Sequence, residues 1–227
     1  MDAYAPMEQG EPTGLGEPTG LGEPTGLGEP TGLGEPTGLG EPTGQGEQQD
    51  LRHLLTERLE LRALGRADLH DVYGLMSDPR VWEHFPSGVH TSPDQTAAQL
   101  SREERGWDLD GLGYWSVHLR DDGTFAGVGG CRRYRTAAWN LYYRIRPELQ
   151  RKGYATELAR AGLAAASAVD PELPIVASVL AHNAASRAVA TAVGLHLVWQ
   201  GDEPAGRRLL FCDRDIEPAV LGALHAG

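Results

Sequence analysis

The residues with the clearest chemical potential lie between Glu148 and Thr156, where the sequence reads E-L-Q-R-K-G-Y-A-T. An apolar, strand-like run ends before this segment, and an amphipathic helical run begins within it. Gly153 lets the backbone approach a ligand closely, and the unpaired N–H groups at a helix start attract anions. Lys152, the only lysine of the chain, stands in the same loop beside Arg151. The segment therefore predicts a phosphate-binding loop.

Hydrophobic periodicity predicts the elements that position this loop. Leu59 and Leu61 alternate with charged neighbours, which indicates a half-buried strand over residues 56–62. Apolar residues at helical spacing then predict helices over residues 66–77 and from Ser92 to about Trp107. Further along the chain the patterns predict strands at 114–119, 124–132 and 139–145, a helix at about 156–169, a strand at 175–180, a helix from Asn183 to Gly194, and a hairpin of 195–199 with 208–212.

The first fifty residues have a different composition. Six tandem copies of GEPTG followed by Leu or Gln run from Gly10 to Gln45. Their low hydrophobicity, regular prolines and many glycines leave too little apolar surface to offset the backbone entropy of folding. We therefore predict a disordered tail over residues 1–50 and a folded domain over residues 51–227. The tail has two interpretations, a neutral repeat expansion and an arm that docks a partner, and we favour the first.

Charge and apolar content restrict the class of protein. Residues 1–50 hold ten acidic and no basic side chains, so this segment carries −10 of the net charge of −12. The balance predicts no nucleic-acid partner, and no run approaches the roughly 20 apolar residues that span a membrane. No signal peptide is visible, so we expect a cytoplasmic protein.

Cys131 and Cys212 lack metal-ligand spacing, which favours buried thiols over a disulfide and predicts no metal site.

Four segments together resemble the GNAT superfamily of N-acetyltransferases, in particular its RimJ/RimL-like branch. They are T-E-R-L-E-L-R at 56–62, S-D-P-R-V at 77–81, Q-R-K-G-Y-A-T-E at 150–157, and N-A-A-S-R at 183–187 before a helix that ends at Gly194. The resemblance implies an α/β (α+β) GNAT fold, whose mixed, mostly antiparallel sheet of about six to seven strands is flanked by helices. It also implies acetyl-CoA as donor and a primary amine as acceptor. The sequence leaves the oligomeric state open, with a homodimer as one possible assembly.

The resemblance assigns a donor site. Backbone amides from Arg151 to Ala155 would hold the pyrophosphate, and the pantetheine arm would lie as an added strand between residues 143–145 and the strand at 175–180. The residues expected to bind the donor are Tyr143, Arg144, Ile145, Gln150, Arg151, Lys152, Gly153, Tyr154, Ala155, Thr156, Asn183, Ser186 and Arg187.

The expected catalytic residues are Ser186, Asn140 and Tyr143. The family likeness puts a serine at the position of Ser186 near the donor sulfur, where its hydroxyl could protonate the leaving thiolate. A backbone amide near Tyr142 or Tyr143 would stabilise the developing oxyanion. Asn183 and Ser186 also have a purely structural interpretation, as an N-cap and a first-turn residue.

Two positions depart from the family pattern. Asn140 stands where the family often has a glutamate that serves as a base, and Ala190 stands where many members have a tyrosine acid. Asn140 cannot accept a proton at neutral pH, so His84, His90, His118, a water chain or an already neutral amine remain as alternatives. The departures also keep open a non-catalytic module that senses acyl-CoA.

The sequence leaves the identity of the acceptor open. A protein or peptide amino terminus is favoured by the resemblance, and small amines, including antibiotics of the aminoglycoside type, are the alternatives. Acidic side chains in loops could attract a cationic acceptor or could be solvated surface; these are Asp108, Asp110, Asp202 and Glu203.

Overall fold

Eight strands form one sheet in the computed structural model, which describes residues 50–135 and 137–225. The strands are β1 (His53–Leu55), β2 (Leu59–Ala63), β3 (Tyr114–Leu119), β4 (Phe125–Tyr134), β5 (Ala138–Ile145), β6 (Ile175–Leu180), β7 (His196–Glu203) and β8 (Gly206–Cys212). Their order in the sheet is β1-β2-β3-β4-β5-β6-β8-β7. Our prediction for the repeat tail falls on residues 1–49, which lie outside the described part.

All neighbouring strands are antiparallel except β5 and β6, which run parallel. This parallel pair is short, because only Trp139 with Ile175 and Asn140 with Val176 are in register. Beyond Asn140, β5 keeps its pairing to β4 as far as Ile145, while β6 keeps its pairing to β8. The sheet is therefore open between residues 141–145 of β5 and residues 177–180 of β6.

Five helices cover the two faces of the sheet: α1 (Leu69–Met76), α2 (Pro93–Asp110), α3 (Tyr154–Val169), α4 (Ala184–Ala192) and α5 (Pro218–His225). Short 3-10 helices at 66–68, 79–82, 86–88 and 147–149 join the larger elements. Helix α2 begins where the sequence predicts, since the Ser92 hydroxyl caps it by accepting from the N–H of Gln95 at 3.3 Å. It ends at Gly111, which adopts the left-handed conformation.

Side-chain alternation along β5 divides the core into two layers. Leu141, Tyr143 and Ile145 pack with Leu158 and Ala159 of α3 in the larger apolar cluster. On the opposite face, Tyr142 joins residues of α1, α2 and the segment after α1 in a second cluster. The alternation gives each face of β5 its own surroundings, so neighbouring residues of this strand contribute to different sites.

The predicted mixed, mostly antiparallel fold is confirmed, and β3 and β6 have the predicted bounds. The predicted count of six to seven strands is too low by one. Strand β1 escaped because it is three residues long and buries only Leu54. Helix α5 was also missed, since it offers about two turns of apolar pattern near the end of the chain. Both cysteines are buried free thiols, as predicted.

Candidate functional site

The predicted phosphate-binding loop borders a cavity of about 200 Å³, which we call the donor cavity. Seven of the residues predicted to bind the donor line it: Ile145, Gln150, Arg151, Gly153, Tyr154, Ala155 and Thr156. Ala185 and Val189 of α4 close the opposite side. The side chains of Lys152 and Arg187 are exposed beside this cavity and are not part of its lining.

The start of α3 presents free amides to the donor cavity. Gly153 takes the N-cap position with φ +85°, and no side chain caps the helix there. The first backbone bond of the helix runs from the N–H of Glu157 to the carbonyl of Gly153 at 3.1 Å. Among the described residues, none accepts from the N–H groups of residues 154–156. Because such N–H groups also carry the positive end of the helix dipole, they suit an anion.

A group of three residues, which we call the loop clamp, fixes this loop to the beginning of β2. Glu157 accepts hydrogen bonds from the Thr56 hydroxyl at 2.6 Å, and from the N–H and Nε of Arg58, each at 2.7 Å. Arg58 Nη1 also donates to the carbonyl of Lys152 at 2.9 Å. Burial of Glu157 opposes its ionisation, but these hydrogen bonds outweigh it and lower its pKa. Residues outside the loop, at the beginning of β2 and in the first turn of α3, therefore hold its conformation.

Two buried polar groups at the start of α4 lack a partner within the described residues. The Ser186 hydroxyl and the Asn183 Nδ2 group are both buried and make no hydrogen bond. Asn183 Oδ1 accepts from the N–H of Ser186 at 3.0 Å, so the capping interpretation of Asn183 is confirmed. Buried polar groups are normally paired in folded proteins. The two unpaired groups therefore suit a polar ligand that enters between β5 and α4.

Tyr143 connects β5 to the same helix start. Its hydroxyl donates to the backbone carbonyl of Ser186 at 3.3 Å, and burial raises the pKa of Tyr143 to about 12. The side chain thus stays neutral at physiological pH and positions α4 against β5. The structure brings Tyr143, Ser186 and Asn183 together, as the sequence predicts.

Asn140 and Arg144 point their side chains to the other face of the sheet. Asn140 Nδ2 donates to the Tyr114 hydroxyl at 2.8 Å. Arg144, although predicted to bind the donor, places its guanidinium 3.3 Å from the ring centre of Trp82 and donates to the Tyr142 hydroxyl at 2.9 Å. Its side chain therefore lies away from the donor cavity, and its backbone remains on the open edge of β5.

The second cavity, of about 240 Å³, lies on this opposite face, and we call it the acceptor cavity. Helix α2 supplies one wall and strands β3, β4 and β5 supply another, through Gln99, Glu103, Tyr114, Arg132 and Tyr142. Glu103 is 3% exposed and lies 3.3 Å from Arg132 Nη1. Burial raises the pKa of Glu103 and also that of Tyr142. The cavity is thus lined by buried ionisable groups.

The three histidines considered as bases have different positions. His90 lines the acceptor cavity, where Nδ1 is 2.7 Å from the Thr96 hydroxyl and burial lowers the pKa of the ring. The backbone carbonyl of His84 lies 3.2 Å from Nε2 of His182, and burial lowers the pKa of His84. His118 is buried in β3 with Nδ1 3.3 Å from the carbonyl of Gly123. Of the three, His90 alone lines either of these two cavities within the described residues.

The four acidic residues expected in loops lie instead in α2 (Asp108 and Asp110) and at the end of β7 (Asp202 and Glu203), and they are outside both cavities. Asp108 pairs with Arg52 at 2.8 Å, and Glu203 pairs with Arg208 at 2.9 Å. Neither these two nor Asp110 and Asp202 line the acceptor cavity.

No group of three or more metal-ligating side chains occurs among the residues that the structure describes. In the same part of the chain, none of the helices is both long and apolar enough to cross a membrane.

Comparison with known proteins shows which family the chain belongs to. The family model described as the acetyltransferase (GNAT) domain matches residues 58–196. The chain belongs to the GNAT acetyltransferase family. The match covers both the loop that borders the donor cavity and the helix that carries Ser186.

Related proteins support the same family. The uncharacterized N-acetyltransferase YnaD of Bacillus subtilis (strain 168) is 30% identical over 110 residues, which cover 48% of this chain and 62% of YnaD. The chain thus spans less than two thirds of the length of this curated relative.

Two solved structures share the fold. An acetyltransferase from Agrobacterium tumefaciens str. C58 matches with a TM-score of 0.61 and 25% identity, over 72% of this chain and 94% of that one. RimL, a ribosomal L7/L12 alpha-N-protein acetyltransferase solved in complex with coenzyme A, matches with a TM-score of 0.60 and 19% identity, over 71% and 96% of the two chains.

The residues present fit acetyl-CoA. The free amides at the start of α3 suit its pyrophosphate, and the unpaired edge of β5 suits an extended amide-bearing arm. The unpaired groups of Asn183 and Ser186 suit the polar atoms of that arm and its thioester. When bound, the thioester supplies the activated acetyl group.

Two sets of residues were missed from the sequence. The contact between Thr56, Arg58 and Glu157 links two of the four family segments, but their pairing follows only from the fold. Glu103 had a visible signal, because the buried positions of α2 are Thr96, Gln99, Leu100, Glu103 and Trp107, which recur at helical spacing. Three of these five buried positions carry polar residues, which indicates a polar site under the helix.

Proposed function

We propose that the protein transfers the acetyl group of acetyl-CoA to a primary amine by direct attack, in the manner of the RimJ/RimL-like branch. One observation carries the proposal: the pairing of β5 with β6 stops at Asn140 and Val176. The open edge of β5 lies between the donor cavity and the acceptor cavity, which are on opposite faces of the sheet. A donor in this opening would present its thioester to an acceptor on the other face.

The chain's own groups have distinct tasks in this reaction. Amides at the start of α3 hold the donor pyrophosphate, and backbone N–H groups of β5 near Tyr142 and Tyr143 stabilise negative charge on the acetyl oxygen. The amine nitrogen forms a bond to the carbonyl carbon as the carbon–sulfur bond breaks. The Ser186 hydroxyl gives its proton to the departing thiolate and regains one from water, and the nitrogen releases its extra proton to the same water.

An activity assay tests this function. Purified protein is incubated with acetyl-CoA and a panel of amines that includes peptides and amino acids. Two products are measured together: the released thiol, and an acceptor whose mass has increased by roughly 42 daltons, the mass of one added acetyl group. We expect both products in equal amounts. Tight binding of coenzyme A with no release above the rate of spontaneous hydrolysis for any amine would overturn the proposal.

A module that senses acyl-CoA without turnover is the second candidate. It is favoured by Asn140, which donates to Tyr114 instead of offering a base, and by Ala190 on the buried side of α4. Under this alternative, coenzyme A binds with equal affinity to the wild type and to Ser186→Ala, and neither protein turns over. A cytoplasmic location, a homodimer, and the lack of nucleic-acid or membrane partners stay predictions from the sequence.

A further inference from the structure

The acceptor cavity is rich in positive charge. Three guanidinium groups line it, those of Arg102, Arg132 and Arg144, against the single carboxylate of Glu103. Even with Glu103 ionised, the lining carries a net charge of about +2. An enzyme for polycationic amines would need the opposite sign, so the cavity is mismatched to an acceptor of the aminoglycoside type.

Arg132 has donor capacity that the protein itself does not use. Its Nη1 contacts Glu103 at a rather long 3.3 Å, and its guanidinium stacks 5.2 Å from the ring centre of Tyr114. Its Nε is buried and has no hydrogen-bond partner among the described residues. A buried unpaired donor on a charged group is unfavourable unless a ligand pairs with it. The Nε group therefore marks the place of a ligand oxygen.

The size of the cavity limits what brings that oxygen. At about 240 Å³ it is smaller than the cavities that usually hold drug-sized ligands, and it suits a small molecule or the first residue of a peptide. The acceptor must also place its amine at β5, where Tyr142 and Asn140 stand on this face. The acceptor's amine and the group that carries this oxygen therefore lie within a few atoms of each other in one small molecule or one terminal residue.

We propose that the acceptor carries a carboxylate or phosphate a few atoms from its amine, and that Arg132 binds this acidic group. The proposal rests on the acetyl transfer inferred above. The acidic group can belong to a free small amine or to an acidic first residue of a peptide. The same positive charge lowers the pKa of the acceptor's amine, which favours the neutral, nucleophilic form where Asn140 offers no base.

Matched acceptor pairs test the preference. Each pair differs in one acidic group: alanine with alaninamide, O-phosphoethanolamine with ethanolamine, and amidated hexapeptides of one sequence beginning with Glu or with Gln. Binding is measured by calorimetry on protein saturated with coenzyme A, and kcat/KM is measured with acetyl-CoA. We expect the acidic member of at least one pair to be preferred at least tenfold, since hydrogen bonds to charged groups are the strong ones. The pair that shows the preference identifies the source.

Variants assign the preference to Arg132. In Arg132→Gln we expect the acid-to-neutral ratio to fall to about 1, with coenzyme A affinity unchanged within about twofold. Arg105→Gln is the control, because Arg105 is exposed on α2, the helix that carries Glu103, and does not line the cavity. It removes the same charge and should keep the ratio.

Glu103 provides a variant of opposite effect. Glu103→Gln frees Arg132 from its internal carboxylate, so we expect the acidic acceptor to bind several times more tightly than in the wild type. If Arg132→Gln alone fails to fold because Glu103 is left buried and unpaired, the double variant Arg132→Gln/Glu103→Gln removes both charges and should still lose the acid preference.

The outcomes separate this inference from the transferase function. Turnover with equal or better use of the neutral amines overturns the acidic acceptor and leaves the acetyl transfer standing. Acid-selective binding that Arg132→Gln abolishes, without any turnover, supports the acceptor class and overturns the transferase function. A wild-type preference that survives in Arg132→Gln overturns the assignment to Arg132.

Discussion

At the scale of single residues, the proposed donor site depends on two features, the missing side chain of Gly153 and the unpaired hydroxyl of Ser186. Gly153 lacks a side chain, and its backbone lies at φ +85° beside Arg58. Ser186 lacks a partner for its hydroxyl, although the residue is buried. Both features cost stability in the free protein and favour a ligand, which is typical of functional sites.

Replacement of Gly153 should weaken donor binding more than it destabilises the fold. In Gly153→Ala, the new Cβ would lie 3.2 Å from Arg58 Nη2, and a non-glycine residue at positive φ costs about 1–2 kcal/mol. We expect the Kd for coenzyme A, measured by calorimetry, to rise at least tenfold. Gly111→Ala is the control, since Gly111 has φ +70° and no atom within 4 Å of its Cβ position. Equal Kd values in the two variants would contradict the role of Gly153.

Ser186→Ala should separate stability from turnover. The hydroxyl makes no hydrogen bond within the described part, so its removal should leave the free energy of unfolding unchanged or raise it by about 1 kcal/mol. If the hydroxyl protonates the thiolate, kcat should fall by about tenfold to a hundredfold while coenzyme A affinity changes little. Urea unfolding and steady-state kinetics on the same preparation measure both. An unchanged kcat would leave Ser186 with a structural role alone.

At the scale of elements, the loop clamp explains why two distant segments belong to one motif. Residues Thr56 and Arg58 precede β2, Glu157 lies in the first turn of α3, and their contacts join the two across about a hundred residues of sequence. The clamp holds the backbone of Lys152 by its carbonyl and leaves the amides of α3 free for a ligand. The protein's own contacts therefore fix the shape of the loop, which would reduce the entropic cost of binding the proposed donor.

Breaking the clamp should loosen the loop without removing any group that touches the donor. In Glu157→Gln, Arg58 loses its charged partner while the packing volume is kept, so we expect the Kd for coenzyme A to rise roughly threefold to tenfold. Arg62→Gln is a control, since Arg62 pairs with Glu60 on the exposed side of β2. In a cycle with Arg58→Gln, the two effects should be strongly non-additive. Additive effects would show that the two residues act separately.

The elements also show what can be predicted from this sequence. Strands β3 and β6 and the caps at Ser92 and Asn183 follow local rules of alternation and capping, and they lie where expected. The loop before α3 could be located for the same reason, because its residues are consecutive, and its role in donor binding stays a prediction. The pairing of Glu103 with Arg132 was not predictable, since it depends on how α2 crosses β4. Contacts of this kind arise from tertiary packing, which periodicity does not report.

At the scale of the whole molecule, the acceptor cavity links stability to pH through the buried ring of His90. Burial, and next the charge of Arg102, lower the pKa of His90 below its ordinary value of 6.5. The unfolded chain therefore takes up a proton more readily than the folded one, so the contribution of His90 to stability is present above pH 6.5 and is lost as the pH falls through the lower, folded pKa.

This linkage predicts how the stability of the whole protein depends on pH. Between pH 8 and pH 5.5 the wild type should lose more free energy of unfolding than His90→Gln, whose side chain does not titrate. The difference is limited to about 1.4 kcal/mol for each pH unit below the unfolded pKa. Urea unfolding at both pH values measures it, and the many other carboxylates cancel in the comparison. Parallel losses in the two proteins would show that protonation of His90 costs the fold nothing, and the cavity wall around Thr96 would then tolerate a charged ring.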